Sequence, residues 1–146
     1  MMNIIGSSEI AGTNAGYDWV SLNLNKFLKQ EEVSANKLVL GIPFYTRLWE
    51  EDKDGNIEAT IIFENEVEKY IPEYAEKKWD DLLKQYYVQY EKDGNIYKMW
   101  VEDEESIKEK LSLIEKFNLS GAAFWRKDFE NESIWNIINE KLEIKK

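Results

Sequence analysis

The chain of 146 residues contains no Cys and no His. Thiol nucleophiles, disulfides, Ser-His dyads, imidazole bases and the usual zinc ligand sets are therefore excluded, and chemistry must come from carboxylates or from groups a ligand brings. No metal and no cofactor is expected. Asp52, Asp54, Asn56 and Glu58 alternate like a calcium loop, but the sixth position is Ile57 instead of Gly and the twelfth is Phe63 instead of Glu. A solvated acidic turn is the reading there. Tyr86, Tyr87, Tyr90, Tyr97 and Trp100 form an aromatic cluster that suits either a sugar-stacking wall or the cross-strand pairs that stabilise any hairpin. Asn118-Leu119-Ser120 and Asn131-Glu132-Ser133 match the glycosylation triplet, a pattern common by chance, and the second also suits a helix start.

The elements that must position these groups can be read from the pattern. With 43% hydrophobic and 14% aromatic residues the chain has the makings of a packed core. Its 19 basic and 29 acidic residues leave a net charge of -10, which repels nucleic acid and anionic membrane surfaces and leaves neutral partners such as carbohydrate open. Met1-Met2-Asn3-Ile4-Ile5 shows no basic region followed by a long apolar stretch, so no signal peptide is expected, and no run reaches membrane-spanning length. No compartment is assigned.

Gly6 to Gly16 has the composition of an exposed loop. Val20, Leu24, Phe27 and Leu28 then mark an amphipathic helix. Lys37 to Phe44 and Leu119 to Trp125 are short apolar runs without alternation, as expected of parallel strands buried on both faces. Between them, 47 to 103 is acidic and Tyr-rich. Within it Ile61 to Ile71 is expected to be a helix stopped by Pro72. Tyr86–Tyr90 and Ile96–Val101 flank Lys92-Asp93-Gly94-Asn95, a strong hairpin signal. Ile107, Leu111 and Ile114 mark a further helix, and Ile134, Ile137, Ile138 and Leu142 the last, with Asn131 as its expected N-cap. The fold class is α/β, and so few parallel strands make only part of a barrel.

The run Leu40-Gly41-Ile42-Pro43-Phe44-Tyr45-Thr46-Arg47 resembles the seventh barrel strand of family-18 glycoside hydrolases, and Leu119 to Trp125 resembles the eighth, which ends in Trp. Met99-Trp100-Val101-Glu102-Asp103 with Ser106-Ile107 is similar to the segment that closes that family's α+β insertion. The Tyr-rich hairpin and Phe124-Trp125-Arg126-Lys127 look closest to the spore cortex and cell-wall branch. The resemblance implies a partial TIM (β/α)8 barrel: barrel segments at 1–46 and 104–146, with an α+β insertion at 47–103. It starts just past the family's acidic motif. No Asp here begins the spacing Asp-x-x-Asp-x-Asp-x-Glu, and Met1 to Ile5 does not match the sixth strand's Met-x-Tyr-Asp.

The family's mechanism needs one positioned Glu to protonate the leaving oxygen, so no catalytic residue is assigned. The resemblance makes Trp125 the apolar floor beneath a sugar, against the alternative of a core Trp. It brings Tyr45 and Arg47 to the strand end where barrel sites form, with an ion pair as the other reading for Arg47. Trp49 either lines the cleft or packs the insertion. Trp100 belongs to the hairpin cluster, and Glu102 either contacts substrate or, with Asp103, caps the helix that starts at Glu104. The implied partner is an N-acetylglucosamine-containing glycan, chitin or peptidoglycan. Open barrel edges imply either a homo-oligomer or a missing N-terminal half of the barrel. A non-catalytic glycan-binding or self-associating module is the competing reading.

Overall fold

A computed structural model describes residues 10–142. The start Met1–Ile5 and the first residues of the expected Gly6–Gly16 loop lie outside that range. Helix α1, Tyr17–Lys29, is followed by β1 at Val39–Pro43. Strands β2 (Tyr45–Glu51) and β3 (Ile57–Phe63), a 3-10 helix at Glu64–Tyr70, and strands β4 (Lys77–Asp80), β5 (Gln85–Lys92) and β6 (Asn95–Val101) come next. Helix α2 (Glu104–Phe117), strand β7 (Gly121–Trp125) and helix α3 (Glu132–Lys141) complete the order.

Two sheets divide these strands. Strands β1 and β7 pair in parallel, with Val39 opposite Gly121 and Pro43 opposite Trp125. The other five form an antiparallel sheet in the order β3-β2-β6-β5-β4. In the parallel pair, Leu40, Ile42 and Phe44 point into a core with Val20, Leu24, Ile107, Leu111, Ile114, Ile134 and Ile138 from the three helices. Phe44 is fully buried and its ring stacks on Phe124 at 4.9 Å between centroids. The alternate positions behave differently: Val39 and Trp125 are each 53% exposed, and Gly41 and Ala123 are also exposed. Apart from the buried Pro43, that face of the two strands is thus open, contrary to the expectation of burial on both faces from their unbroken apolar runs, because the three helices cover only the other side.

The antiparallel sheet has its own core. Leu48, Ile62, Val67, Val88, Tyr90, Met99 and Val101 pack together, with the 3-10 helix supplying Val67. The Ile61–Ile71 segment corrects a second expectation. Ile61, Ile62 and Phe63 finish β3, where Ile62 is buried and Ile61 faces out, and only Glu64–Tyr70 turns helically, ending before Pro72 as foreseen. The β5–β6 hairpin turns on Asp93 and Gly94, both with positive φ (54° and 83°), the geometry for which Asp-Gly is preferred.

Helix α2 opens with a capping box: the Asp103 side chain accepts from the Ser106 N–H while the Ser106 hydroxyl accepts from the Asp103 N–H. Asn118 closes it in the left-handed conformation at φ 53°. Asn131 stands at the N-cap of α3 without a side-chain cap bond, since its amide donates to Glu64 Oε1 at 3.0 Å instead.

Candidate functional site

Strand alternation brings four of the expected site residues, Tyr45, Arg47, Trp49 and Trp100, onto one face of the five-stranded sheet. Phe44, in the bend between β1 and β2, is buried in the helix-covered core; Pro43 before it is also buried and lies opposite Trp125, and Tyr45 after it is half-buried. Along β2 one side holds Tyr45, Arg47 and Trp49. Trp49 lies opposite Lys98 in β6, and Trp100 lies opposite Tyr87 in β5. Tyr45, Arg47, Trp49, Trp100 and Tyr87 therefore share one sheet face. Its first residue, Tyr45, follows Pro43, the backbone partner of Trp125, by two positions.

The residues differ in how they sit on that face. Trp49 is only 5% exposed, and its indole N–H donates to the carbonyl of Gly12 at 2.8 Å. Asn14 reaches the Tyr45 carbonyl at 3.1 Å, Thr13 bonds the side chain of Gln85, and the Tyr17 N–H donates to the Leu83 carbonyl at 3.0 Å. The loop before α1 is thus clipped across the sheet, and Trp49 packs beneath it. The Arg47 guanidinium lies 5.9 Å from the centre of the Trp49 ring. Tyr45, Arg47 and Trp100 are half-buried. Trp100 and Tyr87 meet at 5.0 Å between ring centres, and the Tyr87 hydroxyl donates to Gln89 at 2.6 Å.

Glu102 takes the scaffold role. It is fully buried, and its carboxylate accepts from Lys110 Nζ at 2.9 and 2.7 Å, from Gln85 Nε2 at 2.6 Å and from the Ser106 hydroxyl at 3.0 Å. Its own N–H donates to the Thr46 hydroxyl at 2.8 Å. Burial pushes its pKa above the ordinary carboxylate value, opposed by the nearby Lys110 ammonium and by the hydrogen bonds from Lys110 and Ser106. With every oxygen engaged inside the protein, this carboxylate is not presented to a substrate. Asp103, beside it, does the capping that was the alternative reading for both.

A second structured rim borders Trp125. The Phe63 ring, at the end of β3, stacks on Phe129 at 3.7 Å, and the Arg126 guanidinium lies 4.8 Å from the centre of the Phe129 ring. Asn65 ties the loop down, donating from its N–H to the Phe129 carbonyl at 2.9 Å and from its side chain to the Asp128 carbonyl at 3.3 Å. Elsewhere the acidic turn at Asp52 closes on itself: Asp52 accepts from the N–H groups of Asp54 and Asn56 and from the Asn56 amide, which holds its pKa down. Among the described residues no cluster of three or more acidic groups is arranged to hold a metal ion, and no helix is long and apolar enough to cross a membrane.

Trp125 ends a parallel strand, opposite Pro43, and the strand that follows Pro43 carries Tyr45 and Arg47. The sequence pattern of Glycosyl hydrolases family 18 matches residues 6–130. The chain belongs to that family. A glycosylase-like relative from Bacillus subtilis strain 168, described as an uncharacterized glycosylase YvbX, is 28% identical over 133 residues, which are 88% of this chain and 37% of that protein. Two solved structures superpose well on this chain. A chitinase from Chromobacterium violaceum gives a TM-score of 0.79 at 24% identity, covering 92% of this chain and 41% of the other. The spore cortex-lytic enzyme SleL of Bacillus megaterium gives 0.81 at 21% identity, covering 93% and 32%. The chain therefore spans less than half the length of the proteins it matches, and its α/β fold corresponds to part of theirs.

Two features of this family-18 face were not singled out by the sequence. The clip made by Gly12, Thr13 and Asn14 left no local signature beyond loop composition. The Phe63–Phe129–Arg126 pile joins residues more than 60 positions apart, and only the Arg126-to-Phe129 spacing, one tight turn, is local.

Proposed function

We propose that this family-18 chain forms the floor and one wall of a cleft for N-acetylglucosamine-containing glycans, with the five-stranded sheet as the family's insertion. The acid that protonates the glycosidic oxygen is not among its residues. The observation that carries this reading is the half-exposed Trp125, 53% open to solvent on a strand whose other face packs Ala122 and Phe124 against the helix-covered core. A core Trp would be covered, whereas an indole face of this size matches the C–H face of a pyranose. Tyr45 and Arg47 follow Pro43, the partner of Trp125, and offer a hydroxyl and a guanidinium to sugar oxygens. The absence of the acidic motif from the sequence and the internal saturation of Glu102 both support the assignment of the proton donor elsewhere.

Titration with N-acetylchitotetraose, followed by amide chemical shifts, tests the reading. Binding is expected, with Trp125→Ala weakening it by about tenfold or more, the scale of losing a central aromatic contact. Unchanged affinity in that variant would remove Trp125 from the cleft. A chromogenic chitobioside is expected to remain intact with pure protein, and sustained turnover would refute the absence of a catalytic acid.

One observation favours self-association as a second reading. Both edges of the β1–β7 pair are unpaired among the described residues, and an apolar groove of about 240 Å³ runs between α1 and β1, lined by Trp19, Phe27 and Val39 among others. Such an edge can accept a further strand. Sedimentation across a hundredfold concentration range decides it, a strictly monomeric species ruling it out.

A further inference from the structure

Arg126 is set apart from the other charges of this acidic chain. Among the described residues no carboxylate lies within ion-pair distance of it, although 29 acidic side chains are present. It directly follows Trp125, and both are exposed. Its guanidinium is stationed 4.8 Å from the centre of the Phe129 ring, which rests on Phe63 in a stack 3.7 Å deep. The loop beneath is fixed. The Phe129 N–H donates to the Arg126 carbonyl at 3.2 Å, the two Asn65 bonds hold Asp128 and Phe129, and the Asn131 N–H donates to Glu64 at 2.5 Å. A guanidinium over a ring interacts through its charge and flat face, leaving N–H donors at its edge for a planar, two-oxygen acceptor.

We propose that Arg126 is a specificity residue that recognises a carboxylate carried by the glycan, on or next to the sugar that covers Trp125. The ligand class is thus an acidic amino-sugar oligomer, one whose ring bears a carboxylic acid substituent, in preference to the neutral polymer of N-acetylglucosamine. This rests on the reading of Trp125 as the sugar floor and adds the chemistry of the adjoining substituent. Electrostatics favours the local assignment: an overall charge of -10 disfavours anionic ligands, so an acidic glycan requires a positioned cation at the point where its charge arrives. The Phe63–Phe129 stack makes Arg126 a preorganised donor, so less side-chain freedom is lost when a carboxylate binds.

The experiment compares three peptide-free tetrasaccharides of equal length by calorimetry: N-acetylchitotetraose, the alternating N-acetylglucosamine and N-acetylmuramic acid oligomer, and the latter with its carboxylates converted to methyl esters. The wild-type chain is expected to bind the acid form about tenfold more tightly than the ester, the scale of a charge-assisted contact, and to lose that margin as salt is raised. Arg126→Gln is expected to abolish the margin while leaving N-acetylchitotetraose binding unchanged, and Arg126→Lys to restore only part of it. Trp125→Ala should weaken all three ligands alike. Equal binding of acid and ester by the wild-type chain, or an unaltered margin in Arg126→Gln, overturns the role of Arg126 while leaving the cleft in place. No binding of any tetrasaccharide overturns both, and an acid preference that survives with Trp125→Ala unaffected places the carboxylate site away from the sugar floor and likewise refutes it.

Discussion

Strands β1 and β7 bury one face under three helices and leave the other open, while the five-stranded sheet closes its core with its own short connections. The parallel pair joins residues about eighty positions apart, so neither strand has a partner until much of the chain is in place. The antiparallel sheet is made largely of neighbours in sequence: β2 with β3, β4 with β5, and β5 with β6. Its cross-strand pairs, including Tyr90 stacked on Tyr97 at 5.0 Å, are formed locally. The contrast separates a locally specified sheet from a parallel pair that depends on distant packing, and it places the half-exposed Trp125 on the dependent part.

The two regions are joined by the buried Glu102 network, and this is where the largest effect is expected. Helix α2 sends Ile107, Leu111 and Ile114 into the core of the parallel pair, while Lys110 turns back to Glu102 at the end of β6. Lys110→Met leaves the Glu102 charge buried without its counter-ion and is expected to cost about 3 kcal/mol, the low end for breaking a buried pair from one side. The double change Lys110→Met with Glu102→Gln should recover much of the loss. Urea unfolding of the four proteins measures both, and a single-variant loss below about 1 kcal/mol would mean that the pair is hydrated and does not couple the sheets.

The sequence carried the locally paired sheet better than the parallel pair. Asp93-Gly94 announced its hairpin because the backbone there demands positive φ, and the spacing of Ile107, Leu111 and Ile114 announced α2 because those residues meet one core. The Ile61–Ile71 expectation failed because Ile61, Ile62, Phe63, Val67 and Ile71 fit a helical period as well as a strand followed by a turn. The two-faced burial expected for β1 failed because apolar character alone does not reveal what lies opposite Val39. Trp125 at the end of its strand was foreseen through the resemblance, whereas Tyr45 and Arg47, expected at the end of the strand that Pro43 closes, belong to β2 of the other sheet. Glu102 was open to two readings, although Ser106 and Lys110 at intervals of four already formed a polar stripe that a purely ligand-binding Glu would not require.

A change confined to the hairpin sharpens the comparison with a smaller effect. Gly94 has φ 83°, so Gly94→Ala forces a Cβ into left-handed backbone and should cost about 1 kcal/mol. The added Cβ would also meet the Lys53 side chain at 2.2 Å, which can swing aside. Gly94→Asn should cost less, since Asn tolerates that conformation. Hydrogen exchange is expected to quicken in β5 and β6 and to stay unchanged in β1 and β7. Equal acceleration in both sheets would show that they open as one unit and that the distinction between the locally paired sheet and the parallel pair has no energetic content.

The smallest effect lies at the seam where the 3-10 helix meets α3. Glu64 is 3% exposed, accepts from the N–H and side-chain amide of Asn131, and faces Glu68, Asp103, Glu104 and Glu105 around a shared cavity of about 320 Å³. Burial raises its pKa, the Asn131 bonds oppose this, and the Glu104 and Asp103 charges add to the rise. A carboxyl whose folded pKa lies above its unfolded value takes up its proton first in the folded state. Its contribution therefore grows more favourable as pH falls through the folded value and levels off below the unfolded one. Glu64→Gln removes that titration. It is expected to change stability by less than about 1 kcal/mol at pH 7 and to reduce the gain that the wild-type chain shows on acidification from pH 7 toward the carboxylate range. Parallel stability curves for the two proteins across that interval would mean that Glu64 is effectively solvated and that the seam is open to water, leaving Lys110 and Glu102 as the principal polar tie between the two regions.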